Sequence, residues 1–199
     1  MTNTNLRRCL DADRRPCEEL FRDTFWDLYR PGCVEHFVAH RAWDSPDLEI
    51  ALLAEQDRTV GCLIATRAHI LGPDGQLEPA LYLGPLAVLP QRQHEGIGTV
   101  LMNEALTLGT QLGFGCAFLF GDPGYYARFG FRNASELAVT TADGQNFDAF
   151  MGIQLRPPRP QPGRLQESTV FEVDPDRFAD FEAGFPPREQ HVLPGQLFG

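Results

Sequence analysis

The sequence predicts an α/β protein built on a mixed, highly twisted central sheet, with splayed parallel strands flanked by helices. Three observations carry that reading. An apolar run, Leu83–Leu89, passes through a glycine-containing turn into an amphipathic helix from Gly98 to Leu112. Phe114–Phe120 follows at once and is almost wholly apolar, as expected of a strand covered on both faces beside a parallel neighbour. Upstream, two β-branched, apolar segments, Glu49–Glu55 and Thr59–Ile70, are joined by the polar turn Gln56-Asp57-Arg58 and read as an antiparallel hairpin.

In chain order, Asn5–Leu10 reads as a first strand. A helix follows, with Leu20, Phe21, Phe25 and Leu28 at helical spacing, capped near Asp13 and ended by Pro31-Gly32. Val34–Trp43 reads as a second helix and Ser45-Pro46-Asp47 as the break after it. After the hairpin, the tight loop Leu71–Gly75 precedes a strand over Ala80–Leu89, whose internal Gly84-Pro85 cannot sit in an ordinary central ladder and predicts a bulge. The helix Gly98–Leu112 directs Val100, Leu101, Ala105 and Leu108 at the sheet and stops at Gly113. Tyr125–Phe129 reads as a short helix, Phe131 opens another strand, and Asn146–Leu155 closes the sheet. Repeated prolines make Arg156–Gly163 a stiff linker. Beyond it, Thr169–Val173 reads as a strand and Pro175–Ala183 as a helix, too little to fold alone. The expected organisation is a domain over 1–155, a linker over 156–163 and an extension over 164–199, packed on its own domain or on a second copy in a homodimer.

At 199 residues and 43% hydrophobic composition the chain supplies one sizeable core. The formal net charge of −10 argues against nucleic-acid binding, which needs a basic face, and mildly favours a cationic substrate. The five cysteines are odd in number, widely spaced and free of any C-x-x-C, so neither a disulfide framework nor a zinc ribbon is expected and a reducing cytosol fits best. The stretch Met1–Arg8 lacks an apolar signal core, and no run approaches the roughly 18 apolar residues that span a bilayer, so a cytoplasmic protein with no membrane partner is expected.

The segment between the apolar strand and the helix carries the chemistry. Backbone N–H groups of Glu95, Gly96, Ile97, Gly98 and Thr99 fall at a helix N-terminus, where unpaired donors and the helix dipole favour an anion. Gln93, Gly96 and Gly98 spell Q-x-x-G-x-G. A dinucleotide fingerprint starting at Gly96 requires a third glycine where Leu101 stands, and no Walker A sequence occurs, so Rossmann and P-loop readings fail. Downstream lies Gly121-Asp122-Pro123-Gly124-Tyr125-Tyr126-Ala127-Arg128-Phe129-Gly130-Phe131, with Tyr126 five residues before the phenylalanine of a G-F pair.

With both motifs in this order the chain resembles the GNAT superfamily of acetyl-CoA dependent N-acetyltransferases over roughly residues 4 to 155. Its L-G-P-L-A-V and G-D-P-x-Y-Y-x-R-F-G-F wording looks like the YhbS-like bacterial branch. The resemblance implies the GNAT fold, a coenzyme pyrophosphate held by Gln93, His94, Glu95, Gly96, Ile97, Gly98 and Thr99, and pantetheine bound through main-chain atoms of Leu86, Ala87 and Val88. It implies that Tyr126 protonates the departing thiolate, a phenol being unionised at neutral pH. A main-chain N–H of Ala87 or Val88 would meet the oxyanion. The acceptor would be a primary amine on a small molecule or peptide, attacking directly.

No general base is legible: Glu55, Glu78 and Glu136 are carboxylates near expected sheet edges, and a water chain would serve as well. His36 and His40 stand one helical turn apart but lack a third ligand, so no metal is expected. Cys116, in an apolar strand, is expected to be a packing group and not an acyl carrier. Glu95 departs from the family by placing negative charge beside the expected pyrophosphate, with Arg92 near enough to compensate. That departure and the missing base keep a second reading open, a non-catalytic or regulatory acyl-CoA-binding protein of the same fold.

Overall fold

A computed structural model describes residues 4–196; the first three residues of the N-terminal stretch lie outside it. Strands β1 (Asn5–Arg8), β2 (Leu48–Glu55), β3 (Thr59–Leu71), β4 (Leu77–Val88), β5 (Cys116–Phe120), β6 (Arg132–Asn133), β7 (Val139–Thr140), β8 (Phe150–Gln154) and β9 (Gly163–Gln166) make one sheet among the described residues. The path runs β1-β2-β3-β4-β5-β8-β6, with β9 joining β3 and β7. β4 and β5 run parallel, as do β7 and β9; the other pairs are antiparallel. Helices α1 (Arg14–Phe25), α2 (Glu35–Trp43), α3 (Ile97–Gln111), α4 (Pro123–Tyr126) and α5 (Pro175–Glu182) complete the chain. None of the described helices is long and apolar enough to cross a membrane.

β3 is the spine. Val60 and Cys62–Ala65 are all buried, so it packs on both faces, which a strand of small and β-branched residues permits. On one face α3 presses against Gly61, where an added Cβ would stand 2.8 Å from Ile97 Cγ2 and 2.9 Å from Leu101 Cδ1. Ile97, Leu101, Met102, Ala105 and Gly109 face the sheet. Val100, expected there, is exposed: with the first helical residue at Ile97, it falls on the outer side of the turn.

Several expected bounds move. α1 ends at Phe25, well before Pro31-Gly32, because Trp26 leaves helical geometry at ψ 123° and Asp27 adopts a left-handed φ of 58°, which exposes Leu28. The strand expected from Phe131 shrinks to Arg132–Asn133, since Asn133 caps a 3-10 turn at Ala134–Leu137 through Ser135 N–H. Thr169–Val173 is not a strand: the Ser168 hydroxyl accepts from Val170 N–H and starts a 3-10 turn at Thr169–Phe171. A strand forms earlier, at Gly163–Gln166, so the last residue of the expected linker belongs to the sheet. The rest of the proline segment is tied down, Gln161 N–H donating to Glu78 Oε2 (2.8 Å) and Arg156 Nη2 to the Gly113 carbonyl (2.8 Å).

The C-terminal residues pack against α1 and α2. Phe178, Phe181 and Phe185 surround the His36 ring at 5.2–5.8 Å, and Arg15 lies 3.5 Å over the ring of Phe185. Glu182 anchors the contact, accepting from Arg22 Nη2 (2.5 Å) on α1 and hydrogen-bonded to His36 Nε2 (2.6 Å) on α2. His40 instead faces Glu18 at 2.8 Å, so the two histidines expected to share a helix face have separate carboxylate partners. Burial holds the His36 imidazole below its usual pKa, against the pull of Glu182. Removing one carboxylate that serves a buried guanidinium strands that charge. Glu182→Ala is therefore expected to lower unfolding stability by about 3 kcal/mol in urea denaturation, and an unchanged midpoint would show the contact to be idle.

Candidate active site

β4 and β5 are paired only at Leu81↔Ala117 and Tyr82↔Phe118. Beyond that point β4 stays paired with β3, while β5 pairs with β8 through Phe120↔Phe150, so the two parallel strands part. A bulge sits at the fork: Gly84 and Pro85 together oppose Ile64 of β3, and the extra residue turns β4 away. Leu86, Ala87 and Val88 therefore present an edge with no β5 partner. The Val88 carbonyl is already used, accepting from Gln93 Nε2 (3.3 Å) and Thr24 Oγ1 (3.5 Å), so Gln93 braces the turn.

The N-terminus of α3 stands over the mouth of this slot. Gly96 at φ 84° and His94 at φ 64° supply the left-handed turns that start the helix. The amides of Ile97, Gly98 and Thr99 have no i−4 carbonyl within the helix, and no side chain caps them. Ile97 contributes only its backbone, its side chain being buried in the core. Glu95 is exposed and pairs with Arg92 Nε at 3.3 Å, which offsets its charge at the cradle. Arg92 is also hydrogen-bonded to Gln56 Oε1. A Cβ at Gly96 would meet nothing within 4 Å, while one at Gly98 would stand 2.6 Å from Tyr125 Oη. The missing side chains leave a bare backbone concavity fitted to a phosphate. Tyr125, which sequence reasoning passed over for its neighbour, lies at the rim, where Arg128 covers its ring at 4.6 Å.

Tyr126 reaches the fork. Its ring lies flat against Gly121, where a Cβ would be 2.1 Å from Cε2, and edges onto Phe131 at 6.0 Å. Burial pushes its phenol well above the ordinary tyrosine range, reinforced by Tyr125, Tyr29 and Asp122. It stays protonated at neutral pH.

On the face of the sheet covered by α1 and α2, Tyr82 at the fork contacts Phe171 (4.8 Å) and Phe120 (5.9 Å), and Phe120 stacks on Phe147 (5.5 Å). Phe120 and Phe147 are partly exposed, giving an aromatic wall beside the fork. Tyr29, from the α1–α2 connection, is half-exposed and is raised by burial and by Glu35 and Asp122. The three sheet-edge carboxylates weighed from the sequence are engaged or exposed elsewhere: Glu55 pairs with Arg7 (3.4 Å), Glu78 receives Gln161, and Glu136 lies exposed on its 3-10 turn.

A carboxylate that the sequence did not offer stands by Tyr82. Glu167 lies two residues after Leu165, which shares Tyr82's buried cluster, and one after Gln166, paired to His69. Burial raises the Tyr82 phenol and the Glu167 charge adds to that, while burial alone lifts the pKa of Glu167 to about 7. No hydrogen bond or ion pair among the described residues ties it down. Thr66 Oγ1, on the residue paired with Tyr82, is buried and also lacks a partner. No spacing rule joins a residue so far along the tail to a strand fork.

A parted parallel pair under an uncapped helix N-terminus, with a protonated phenol at the fork, defines an acyltransferase fold. The chain belongs to the Acetyltransferase (GNAT) family, whose sequence profile matches residues 15–131. Family membership implies acyltransferase activity. Among solved structures it is similar to a GNAT family acetyltransferase from Brucella melitensis in complex with acetyl-CoA, at TM-score 0.71 and 26% identity over 86% of this chain and 99% of that one. It is also similar in fold to YhbS from Escherichia coli in complex with CoA, at TM-score 0.77 and 20% identity over 87% and 94%. The ribosomal-protein-S18-alanine N-acetyltransferase of Escherichia coli shares the fold at TM-score 0.56 and 14% identity over 78% and 96%. No curated protein sequence matched.

The contact between Tyr126 and Gly121 admits no extra atom. Gly121→Ala is expected to displace the phenol and cost about 1–3 kcal/mol, read as a lower urea midpoint with altered near-UV circular dichroism from the tyrosines; an unaltered tyrosine signal would place Tyr126 elsewhere.

Proposed function

We propose that the protein is a cytosolic N-acetyltransferase that moves an acetyl group from acetyl-CoA to a primary amine by direct attack in a ternary complex. The observation that carries this reading is the open β4 edge at Leu86–Val88 beneath the uncapped α3 N-terminus. Acetyl-CoA, the ligand in the Brucella structure, supplies an activated thioester carbonyl. The amides of Ile97, Gly98 and Thr99 bind its pyrophosphate, and the main chain of Leu86–Val88 pairs with its pantetheine arm as a neighbouring strand would.

Three residues or groups then share the proton and charge movements. Glu167 takes a proton from the incoming ammonium so that the nitrogen attacks neutral, for which a carboxylate near pKa 7 is well matched. An amide N–H of Ala87 or Val88 meets the negative charge developing on oxygen. Tyr126 hands its proton to the departing thiolate, and the proton that the attacking nitrogen sheds as the amide forms restores the phenol. The aromatic wall of Tyr29, Tyr82, Phe120 and Phe147, with Glu35 and Asp122 nearby, suits a cationic amine, whose charge is attracted to ring faces.

Coenzyme titration calorimetry, beside a thiol-release assay over polyamines, aminoglycosides, amino acids and peptides, tests the proposal. Binding with amine-dependent release is expected; binding without release from any acceptor would favour a non-catalytic acyl-CoA-binding protein. Tyr126→Phe is expected to lower kcat by about 10²-fold with coenzyme affinity nearly unchanged, since the lost group acts only on the leaving sulfur.

Glu167 gives the reaction a pH signature. As a base it works only when ionised, so kcat/KM is expected to rise with pH through about 7 and then level. Its folded pKa lies above the unfolded value, so ionising it costs the folded state more than the unfolded chain. Folding stability from this group therefore falls as pH climbs between the ordinary carboxylate range and about 7. Glu167→Gln is expected to slow turnover, flatten the acid limb and raise stability at pH 8. An acid limb that persists in the variant would assign the proton transfer elsewhere.

A further inference from the structure

Away from the fork, three thiols converge. Cys9 directly follows β1, Cys17 lies in the early part of α1 and Cys62 is on β3, yet their Sγ atoms all lie within 4.8 Å of one another. No disulfide joins them. Cys17 and Cys62 are fully buried, and Cys9 is half-buried. Each is held by its backbone: Cys9 N–H donates to the Ala51 carbonyl (2.9 Å), Cys62 is paired to Leu53 and Ala87, and Cys17 sits inside a helix. The cluster is assembled by tertiary structure, which is why the spacing of cysteines in the sequence gave no metal signature.

A metal bound by thiolates at about 2.3 Å places its sulfurs about 4 Å apart in a plane. The three sulfurs need draw in by less than about 1 Å to reach that arrangement, which side-chain rotation supplies. Among the described residues the donor set contains no fourth ligand. Asp13, the nearby carboxylate, is committed to Arg7 Nη1 (2.5 Å) and Nη2 (2.9 Å) and to Leu10 N–H (2.7 Å). Three soft donors with no oxygen or nitrogen partner suit a thiophilic ion of low coordination number, and suit poorly a structural zinc, which closes a tetrahedron with four protein ligands.

We propose that Cys9, Cys17 and Cys62 form a three-sulfur binding site for a soft d10 cation of the copper(I) class. On binding, metal–sulfur bonds replace S–H bonds, a proton leaves to solvent for each thiol that ionises, and no oxidation state changes. The ion enters past Cys9, the one residue of the three that is not fully buried.

The test uses the full chain, reduced and held without oxygen, with copper(I) delivered as a coloured bicinchoninate complex. Withdrawal of one equivalent of copper(I) by the protein, read as loss of chelator colour, is expected. Cys9→Ser, which alters the surface-side ligand and leaves the core thiols, is expected to weaken retention at least 10-fold; Cys116→Ala, remote from the cluster, is expected to leave it unchanged. Failure of the wild type to withdraw copper(I), or equal retention by Cys9→Ser, would overturn the site. So would thiol counting and mass analysis that show only a disulfide among the three under mild oxidant in a chain that takes no metal. None of these results bears on the acetyl transfer proposed for the other site.

Discussion

The parting of β4 from β5 after Tyr82 and Phe118 is the constraint on which the rest of the molecule is arranged. Parallel strands ordinarily continue their ladder, because unpaired backbone groups inside a protein are costly. Here the ladder is interrupted where Gly84 and Pro85 crowd opposite Ile64, and the two strands diverge into pairings with β3 and β8. β3 makes the divergence tolerable. It runs the length of β4, packs on both faces and carries at Gly61 the close approach of α3, so the helix whose N-terminus overlooks the slot is set by the strand that backs it.

The C-terminal segment is part of the same construction. β9 extends β3 beyond the reach of β2, the turn at Thr169–Phe171 sets Phe171 against Tyr82, and α5 rests on α1 and α2 through Glu182. One result is that Glu167, remote along the chain, stands at the fork. Another is that the α1–α2 pair, which carries Tyr29 toward the same cleft, is braced from outside by three phenylalanines gathered around one buried imidazole. The tail thus bears on both the shape and the charge of the cleft beside the fork.

What was legible in the sequence is what depends on short-range pattern. Apolar, β-branched content between polar turns marked β2 and β3, a nearly unbroken apolar run marked β5, glycine and proline marked the bulge and the start of α3, and the family resemblance singled out Tyr126 through its distance from Gly130-Phe131. Illegible features depend on which strand lies beside which. Glu167 meets Tyr82 only because β9 adds to β3, and Ser168 overrode the β propensity of Thr169–Val173 by capping the backbone locally. The long reach of α1's apolar pattern to Leu28 misled because a left-handed Asp27 ended the helix, and nothing in that residue's neighbours announces it. The cysteines belong with Glu167: three elements bring together what the sequence scatters.

The free edge of β4 also bears on how the chain avoids associating with itself. An unpaired strand edge is a template for adding a strand from another molecule, and such edges promote aggregation in open sheets. This one is recessed between β4 and β5 instead of lying on the rim of the sheet, and Pro85 withholds a donor within it. A thin, flexible chain of amides and methylenes fits such a fork, while a second polypeptide, with side chains on both faces, does not. The geometry that admits a ligand is thereby also a guard against polymerisation, and mutations that closed the bulge and straightened β4 would trade that protection for a longer ladder.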